Sequence, residues 1–245
     1  MESKFRVAVI TPYFKTRPEW LAQCHESVRS QTHPCVHIMV ADGAPEPAVA
    51  QWDAQHIVLS KNHNDFGDTP RAVGSMSAIG QGFDAIAYLD PDNWYGQDHI
   101  ESLVALHVQT KAAVCTSSRN LNRLDGSRLG VCLESDGENF VDTNCLSLMG
   151  PARQMGAAWA QIPAGLHPIA DRIMWHWIRK GGFPRAHTGR ATVFYRTAYM
   201  GHYARFSEPP PAGAKTGEDT RVALETARRM GFGNLAERAL QATRG

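Results

Sequence analysis

Asp90 and Asp92 stand two positions apart, directly after the apolar run 85–89. Residues i and i+2 of an extended chain lie on the same side, so the two carboxylates can approach one ion. Hard carboxylate oxygens suit Mg²⁺ or Mn²⁺, and such an ion neutralises charge on a departing diphosphate. Acidic residues after a strand are also common helix caps, so the pair taken alone leaves both a metal site and a structural turn open.

Two other strand-like runs end in polar residues. Residues 6–11 are rich in β-branched side chains and lead into a Thr-Pro-Tyr triplet, whose proline is expected to end the strand. Residues 36–41 lead into Asp42 and a glycine. Because ligands of open α/β sheets bind beyond the carboxyl ends of the strands, we expect these features to share one edge with Asp90. The chain has no G-x-G-x-x-G after the first strand and no P-loop, so a dinucleotide or ATPase site lacks its phosphate cradle.

The first half of the chain alternates strand-like and helix-like segments. The predicted strands are 6–11, 36–41, 57–59, 85–89 and 113–116, and the predicted helices are 18–30, 48–55, 69–81 and 96–108. This alternation predicts a mostly parallel sheet with helices on both faces. Thr69 is expected to cap the third helix, with Pro70 as its first residue.

The second half is less regular. It contains a hairpin-turn signal at 125–126, predicted strands at 141–149 and 191–199, and predicted helices at 170–180, 218–230 and 235–243. We therefore expect one domain over 1–205, divided into a regular half at 1–120 and a less regular half at 121–205. Residues 206–245, which begin with a Pro-rich stretch, are expected to form a linker and a helical extension.

Composition narrows the class of protein. The 245 residues are 43% hydrophobic with a net charge of +1, which favours a globular core and excludes the basic excess typical of nucleic-acid binding. The five cysteines form no C-x-x-C pair, so we expect reduced thiols in a cytoplasmic protein. The sequence carries no signal-peptide pattern and no apolar run of spanning length, so peripheral contact is the kind of membrane association left open.

The chain resembles the family 2-like glycosyltransferases of the GT-A fold. The segments that carry the resemblance are VITPY at 9–13, L-x-x-C-x-x-S-V-x-x-Q-T at 21–32, VADGA at 40–44, PRA at 70–72 and AYLDPDN at 87–93. The likeness covers roughly residues 5–120 and continues more weakly to about 205. Ala41 and Ala44 depart from the family pattern, which commonly has a second acid and a serine at these positions.

The resemblance implies an α/β GT-A fold and a hexosyltransferase-type enzyme. It implies a nucleotide-binding half at 1–120 that takes a nucleotide-sugar donor, with UDP as the commonest nucleotide. It also implies an acceptor half at 121–205 that takes a saccharide or another hydroxyl acceptor. It implies that Thr11, Pro12 and Tyr13 line the base pocket and that Asp42 hydrogen-bonds the base. Each has a structural alternative. Tyr13 can serve only to pack a loop, and Asp42 can serve only to stabilise the turn that follows it.

The resemblance also implies the residues around the diphosphate. Arg71 would face the diphosphate or the sugar, Asp90 would contact the ribose or the metal, and Asp92 would bind Mn²⁺ or Mg²⁺ directly. His202, in a segment expected to fold over the donor, is the candidate that completes the metal shell. Arg71 as a surface residue and His202 as a structural histidine are the alternatives.

Asp171 is the candidate catalytic base. It opens the predicted helix 170–180 and resembles the family's acid-bearing helix start, where a carboxylate deprotonates the acceptor hydroxyl. The alternative is an acid that only favours the helix dipole. Residues 142–144 can line the sugar pocket or form an Asx-turn. Direct attack with one base predicts inversion of configuration.

Two other functions remain open from the sequence. A nucleotidyltransferase on a similar sheet would want a Gly-rich basic loop after the first strand, and residues 12–18 contain Lys15 and Arg17 but no glycine. A non-catalytic sugar- or nucleotide-binding module on a degenerate GT-A scaffold would explain the altered second-strand motif. The presence of Asp90, Asp92 and Asp171 together speaks against that module.

Overall fold

A computed structural model describes residues 5–233 and 235. The strands in this range are β1 Val7–Tyr13, β2 Cys35–Ala41, β3 Gln55–Val58, β4 Ala85–Tyr88, β5 Trp94–Tyr95, β6 Val114–Asn122, β7 Arg128–Val131, β8 Leu146–Met149 and β9 Arg185–Arg196. The α-helices are α1 Pro18–Arg29, α2 Asp68–Gly80, α3 His99–Thr110, α4 Ala170–Lys180, α5 Met200–Ala204 and α6 Glu218–Arg229. Stretches of 3₁₀-helix occupy Pro47–Gln51, Thr143–Cys145, Gly150–Gln161 and His167–Ile169.

All nine strands join one sheet in the order β3-β2-β1-β4-β8-β6-β9-β5, and β7 pairs with the far part of β6. Strands β3, β2, β1 and β4 run parallel, so their carboxyl ends meet at one edge. Strand β8 enters antiparallel between β4 and β6, and β9 pairs parallel to β6. The insertion of β8 joins the two halves of the chain into one sheet.

Helices α1, α2 and α3 pack against this sheet. Strands β1 and β4 are buried along their whole length, as expected for strands covered on both faces. The α/β architecture and the alternation predicted for the first half are confirmed. None of the described helices has the length and apolar character that a lipid bilayer would require.

Strand β1 continues through Pro12 to Tyr13, so the expectation that Pro12 ends it is wrong. Beyond Ile10 this strand pairs with β2 alone, because β4 pairs only with residues 7–10. The missing N–H of a proline therefore costs no ladder hydrogen bond on the open side. The extension carries Tyr13 to the edge of the sheet.

Helix α2 begins at Asp68, two residues before the predicted first residue Pro70, and Thr69 lies within its first turn. Asp65, in the preceding loop, accepts the Thr69 backbone N–H at Oδ2 (2.8 Å) and the Gly67 N–H at Oδ1 (3.2 Å). An acid placed before a helix is favourable because it satisfies free N–H groups and complements the helix dipole. Asp65 therefore does the work that the sequence suggested for Thr69.

The second half differs more from expectation. The predicted strand 141–149 is a 3₁₀ turn followed by β8, because the Asp142 side chain accepts the Asn144 N–H (3.0 Å). Strands β6 and β9 are longer than predicted, since each finds its partners only in the folded sheet. The 3₁₀ segment 150–161 was not foreseen. Helix α4 matches its prediction, and the predicted helix 235–243 lies outside the described residues except for residue 235.

Helix α2 lies unusually close to the sheet because of a glycine. A Cβ on Gly74 would come within 2.5 Å of Ile10 Cγ2 and 3.1 Å of Val40 Cγ2. This close approach sets the height of α2 over β1 and β2, and so the position of the residues at its N-terminal end.

We predict that Gly74→Ala lowers the free energy of unfolding by about 1–3 kcal/mol, because the added methyl group overpacks the contact with β1. Gly80→Ala in the same helix is the matched control, since a Cβ there meets nothing within 4 Å. It should be neutral or should stabilise by up to about 1 kcal/mol through helix propensity. Urea unfolding of both variants measures the difference, and equal stabilities would contradict the packing argument.

Candidate active site

A cleft of about 670 Å³ opens at the carboxyl ends of β1, β2 and β4. Its lining comes from the β1–α1 loop, the loop before α2, the segment after β4, and two later residues. The lining residues are Pro12, Tyr13, Phe14, Lys15, Thr16, Arg17, Trp20, Asp42, Asn62, Asn64, Asp65, Phe66, Gly67, Pro70, Arg71, Asp90, Pro91, Asp92, Tyr195 and Lys215. The cleft therefore gathers six predicted site residues at one edge, as the strand-end argument expected.

Arg71 is the centre of charge beside the cleft. Its side chain is only 8% exposed, and Nη2 donates to Asp90 Oδ1 (2.5 Å) while Nη1 reaches Asp68 Oδ1 (3.3 Å) and the Phe66 carbonyl (3.0 Å). Asp68 also bonds His167 Nδ1 through Oδ2 (2.8 Å). Burial raises the pKa of Asp68 to about 6, against the opposing effects of Arg71 and His167. Arg71 is thus an internal ion-pair partner, with two carboxylates compensating its charge.

Asn144 extends these contacts into the second half of the chain. Its Oδ1 accepts the Asp90 backbone N–H (2.5 Å), and its Nδ2 donates to Asp90 Oδ2 (3.0 Å) and Asp142 Oδ1 (2.7 Å). Asp142 in turn pairs with the buried Arg119. We call the contacts from His167 through Asp68, Arg71, Asp90, Asn144 and Asp142 to Arg119 the charge network. It fixes both the backbone and the carboxylate of Asp90.

Asp42 and Tyr13 are held from the side of the second strand. Asp42 is 4% exposed, and its two oxygens accept the backbone N–H of His63 (3.0 Å) and its ring Nδ1 (2.6 Å). The Tyr13 hydroxyl bonds His56 Nε2 (2.7 Å) and accepts the Glu46 N–H (3.1 Å). Both residues line the cleft, and both also form hydrogen bonds that hold neighbouring segments in place. A structural role and a ligand-binding role are therefore compatible for each of these side chains.

Thr11 lies away from the cleft, against the role that the resemblance implied. Its side chain is fully buried, and Oγ1 bonds His37 Nε2 (2.8 Å). His37 continues to His25 through their Nδ1 atoms (3.0 Å), and burial lowers the pKa of His37 to about 3. Alternation along β1 explains the placement, because Thr11 points into the layer under α1.

Asp92 lines the cleft beside Asp90 and has no ion pair among the described residues. Burial and the charge of Asp90 raise its pKa to about 7. A divalent cation would relieve that repulsion. No group of three or more His, Cys, Asp or Glu residues is arranged around a metal position in the described part of the chain. The residues therefore fit an ion held by the Asp92 carboxylate together with diphosphate oxygens and water, a common arrangement for Mg²⁺.

Arg196 braces the loop that carries Asp92. Its Nη1 donates to the Asp92 carbonyl (2.5 Å), its backbone N–H donates to Asn93 Oδ1 (2.8 Å), and Nη2 bonds Gln23. The guanidinium lies over Trp94 (4.5 Å) and Trp20 (5.2 Å). Sequence reasoning missed this residue, because its partners come from two segments that are distant from it along the chain.

Asp171 opens helix α4 and lies near the charge network without joining it. Its Oδ1 accepts the Arg172 N–H (2.7 Å), and it has no ion pair within the described residues. Its charge acts on Arg71 and Tyr199, and the charges of Asp142 and Arg119 act on it. Burial raises its pKa to about 6. Asp171 is therefore an ionisable carboxylate at the junction of the two halves, outside the residues that line the cleft.

His202 lies outside the lining of the cleft. Its Nδ1 bonds Thr197 Oγ1 (2.7 Å), and burial together with Arg119 and Arg205 lowers its pKa to about 3. The segment after β9 reaches the cleft through Lys215 instead. The sequence marked this segment only by its Pro-rich composition, so Lys215 carried no signal of its own.

Comparisons with known proteins bear on both the fold and the site. Residues 8–129, about half of the chain, match the model described as glycosyl transferase family 2. No curated protein matches the sequence significantly. The crystal structure of S. aureus TarS 1–349 in complex with UDP superimposes with a TM-score of 0.58 at 13% identity, covering 93% of this chain and 72% of that one.

Two further S. aureus TarS structures give similar values. One has a TM-score of 0.59 at 12% identity over 91% of this chain and 43% of that one. The complex of TarS 1–349 with UDP-GlcNAc has a TM-score of 0.57 at 12% identity over 91% and 66%. At these identities the likeness establishes a shared fold, and the GT-A architecture expected from the motifs is confirmed. The family match spans the strand ends that carry Asp42, Asp90 and Asp92.

We predict that Asn144→Ala destabilises the protein by about 1–3 kcal/mol, because it leaves the Asp90 N–H without an acceptor and removes one hydrogen-bond donor each from the Asp90 and Asp142 carboxylates. Asn139→Ala is the matched control. It removes a similar amide-to-carboxylate bond, from Asn139 Nδ2 to Asp136 (2.9 Å), at an exposed site where water replaces the lost donor. Thermal and urea unfolding compare the two. Equal losses would show that the buried amide contributes no more than an exposed one.

Proposed function

Because this chain is a family 2-like GT-A glycosyltransferase, we propose that it transfers a sugar from a UDP-sugar to an acceptor hydroxyl, with inversion at the anomeric carbon. One observation carries the proposal. A donor-sized cleft contains the Asp92 carboxylate, and a second carboxylate, Asp171, has no ion pair among the described residues and lies close enough to Arg71 for their charges to interact. Two acids with separate surroundings suit two separate tasks.

UDP is the nucleotide that we propose for the donor. TarS, which shares the fold, has been crystallised with UDP and with UDP-GlcNAc. In this chain the Asp42 carboxylate is held in place by His63. A carboxylate has about four acceptor positions, so Asp42 retains capacity to accept an N–H from a pyrimidine base. Tyr13 and Pro12 supply apolar surface next to it.

The charge network leaves Arg71 little capacity for the diphosphate. Its guanidinium is bonded to Asp90 and Asp68, both of which are anionic when ionised. We therefore assign Arg71 and Asp90 to holding the shape of the site, with Asp90 free to contact the ribose through its 24% exposed side chain. Asp92 is the residue proposed to hold Mn²⁺ or Mg²⁺, and such an ion supplies positive charge next to the leaving nucleotide.

Asp171 is proposed as the general base. The acceptor oxygen attacks the anomeric carbon as the bond from that carbon to the diphosphate oxygen breaks, and Asp171 takes the hydroxyl proton. Attack on the face opposite the leaving group inverts the configuration. A pKa of about 6 leaves Asp171 largely ionised at neutral pH and more basic than an ordinary aspartate, which favours proton abstraction.

We predict that Asp171→Asn lowers kcat by about 10²- to 10⁴-fold while donor binding is retained, because the amide cannot take the proton. The donor is first identified by thermal shift with UDP-, GDP- and TDP-sugars and Mn²⁺. A donor at 100 times its Kd should stabilise the fold by roughly 2.7 kcal/mol. Asp53→Asn, at an exposed acid outside the cleft, is the control.

Three outcomes would count against this proposal. Full turnover by Asp171→Asn would remove the base assignment. A product with retained anomeric configuration, measured by NMR, would exclude direct displacement. Donor binding without transfer or donor hydrolysis, with or without Mn²⁺, would favour a non-catalytic binding module on this scaffold.

The rate should also depend on pH in a defined direction. Burial raises the pKa of Asp171, so the carboxyl group stays protonated and inactive up to about pH 6. We expect kcat to fall about tenfold per pH unit below that value and to level off above it. A pH–rate profile of the wild-type protein measures this acidic fall in kcat. The residual activity of Asp171→Asn should not show it. A fall that persists in the variant would have to come from another titrating group.

A further inference from the structure

The segment that follows β9 turns back towards the cleft. Tyr199 and Lys215 form an isolated parallel β-bridge, with the Met200 N–H bonded to the Lys215 carbonyl (2.9 Å) and the Lys215 N–H bonded to the Ala198 carbonyl (2.8 Å). The chain between them is a closed loop that includes α5. We call residues 199–217 the strap. Its closure brings residue 215, far along the chain from β1 and β4, to their carboxyl ends.

The strap is bound at three places to the β6–β7 hairpin and the segment that directly follows it. Arg123 forms a bidentate ion pair with Glu208, and Arg205 forms an ion pair with Glu134 (2.6 Å). Between these pairs the Phe206 ring lies against Gly130, where a Cβ would come within 2.1 Å of the ring. A segment held by two ion pairs and a close aromatic contact has a defined path, so the position of Lys215 follows from the fold.

Lys215 contributes an uncompensated charge to the cleft. It lines the cleft, its side chain is exposed, and it has no ion pair among the described residues. Its Nζ lies over the Tyr199 ring, 5.3 Å from the ring centroid, in a cation–π contact. It is also close enough to Asp92 for the two charges to interact. Arg71, by contrast, is bonded to Asp68 and Asp90.

We propose that Lys215 is a catalytic residue that binds the diphosphate of the donor and stabilises it as it leaves. When the bond from the anomeric carbon to the diphosphate oxygen breaks, its electron pair stays on that oxygen, and the Lys215 ammonium donates a hydrogen bond to the diphosphate. The lysine keeps its proton throughout. An anion held beside Asp92 needs positive charge close by, and Lys215 is an unpaired cation that faces the same space. The inference rests on the proposed transfer from a nucleotide-sugar.

Lys215→Ala should lower kcat at least tenfold with a smaller change in KM for the sugar donor, because the charge on the diphosphate grows as the bond breaks. It should also weaken UDP binding about tenfold, measured by isothermal titration calorimetry in the presence of Mn²⁺. Lys215→Arg keeps the charge and should recover part of both losses. Lys180→Ala, at an exposed lysine of α4 outside the cleft, is the matched control.

Glu208→Gln distinguishes the effect of loosening the strap from the effect of losing the lysine. The variant loses the ion pair with Arg123 but retains Lys215, so it should weaken UDP binding less than Lys215→Ala does. UDP affinity and kcat of Lys215→Ala equal to those of Lys180→Ala would overturn the inference and leave the transferase proposal intact. UDP binding that depends on Lys215, in a protein that transfers no sugar, would support the lysine contact and overturn the proposed function instead.

Discussion

The site depends on one constraint, which is that the buried guanidinium of Arg71 must have anionic partners. A buried charge without a partner costs several kcal/mol, and breaking such a pair exposes that cost. Asp68 lies three residues before Arg71 on the same helix, whereas Asp90 comes from the end of β4. Pairing with Asp90 therefore fixes the distance between α2 and the end of the strand. Asn144 then ties the same carboxylate to the start of β8, so the two halves of the chain meet at one acid.

This constraint explains why two adjacent acids differ so much. Asp90 spends its hydrogen-bonding capacity inside the protein, and its backbone is fixed as well. The side chain of Asp92, two residues later, has no ion pair among the described residues, and burial beside Asp90 raises its pKa to about 7. The D-x-D pattern thus contains one acid that is tied into the charge network and keeps a partly exposed side chain, and one whose carboxylate is left without an ion pair. Asp171 is similar, since it is half-buried and has no ion pair in the described part of the chain.

Much of the donor side was readable from the sequence, because its information is local. Apolar runs predicted β1, β2 and β4, and the rule that ligands bind beyond parallel strands placed Tyr13, Asp42 and Asp90 together. The sequence did not predict which side chains contact each other. Thr11 alternates into the layer beneath the sheet, and Arg71 turned towards Asp90. Asn144 and Arg196 act through contacts between distant segments, and no spacing in a single sequence encodes such contacts.

The strap is held in place by a different kind of interaction from the one that holds the sheet together. The sheet is held by apolar burial, which salt does not weaken, whereas the Arg123–Glu208 pair is about one-third exposed on both sides, at 31% and 35%. Ion pairs in contact with water are screened as the Debye length shortens, to about 8 Å at physiological ionic strength and about 3 Å at 1 M. The attachment of the strap therefore depends partly on ionic strength. A rise in salt should loosen the segment that carries Lys215 without disturbing the core.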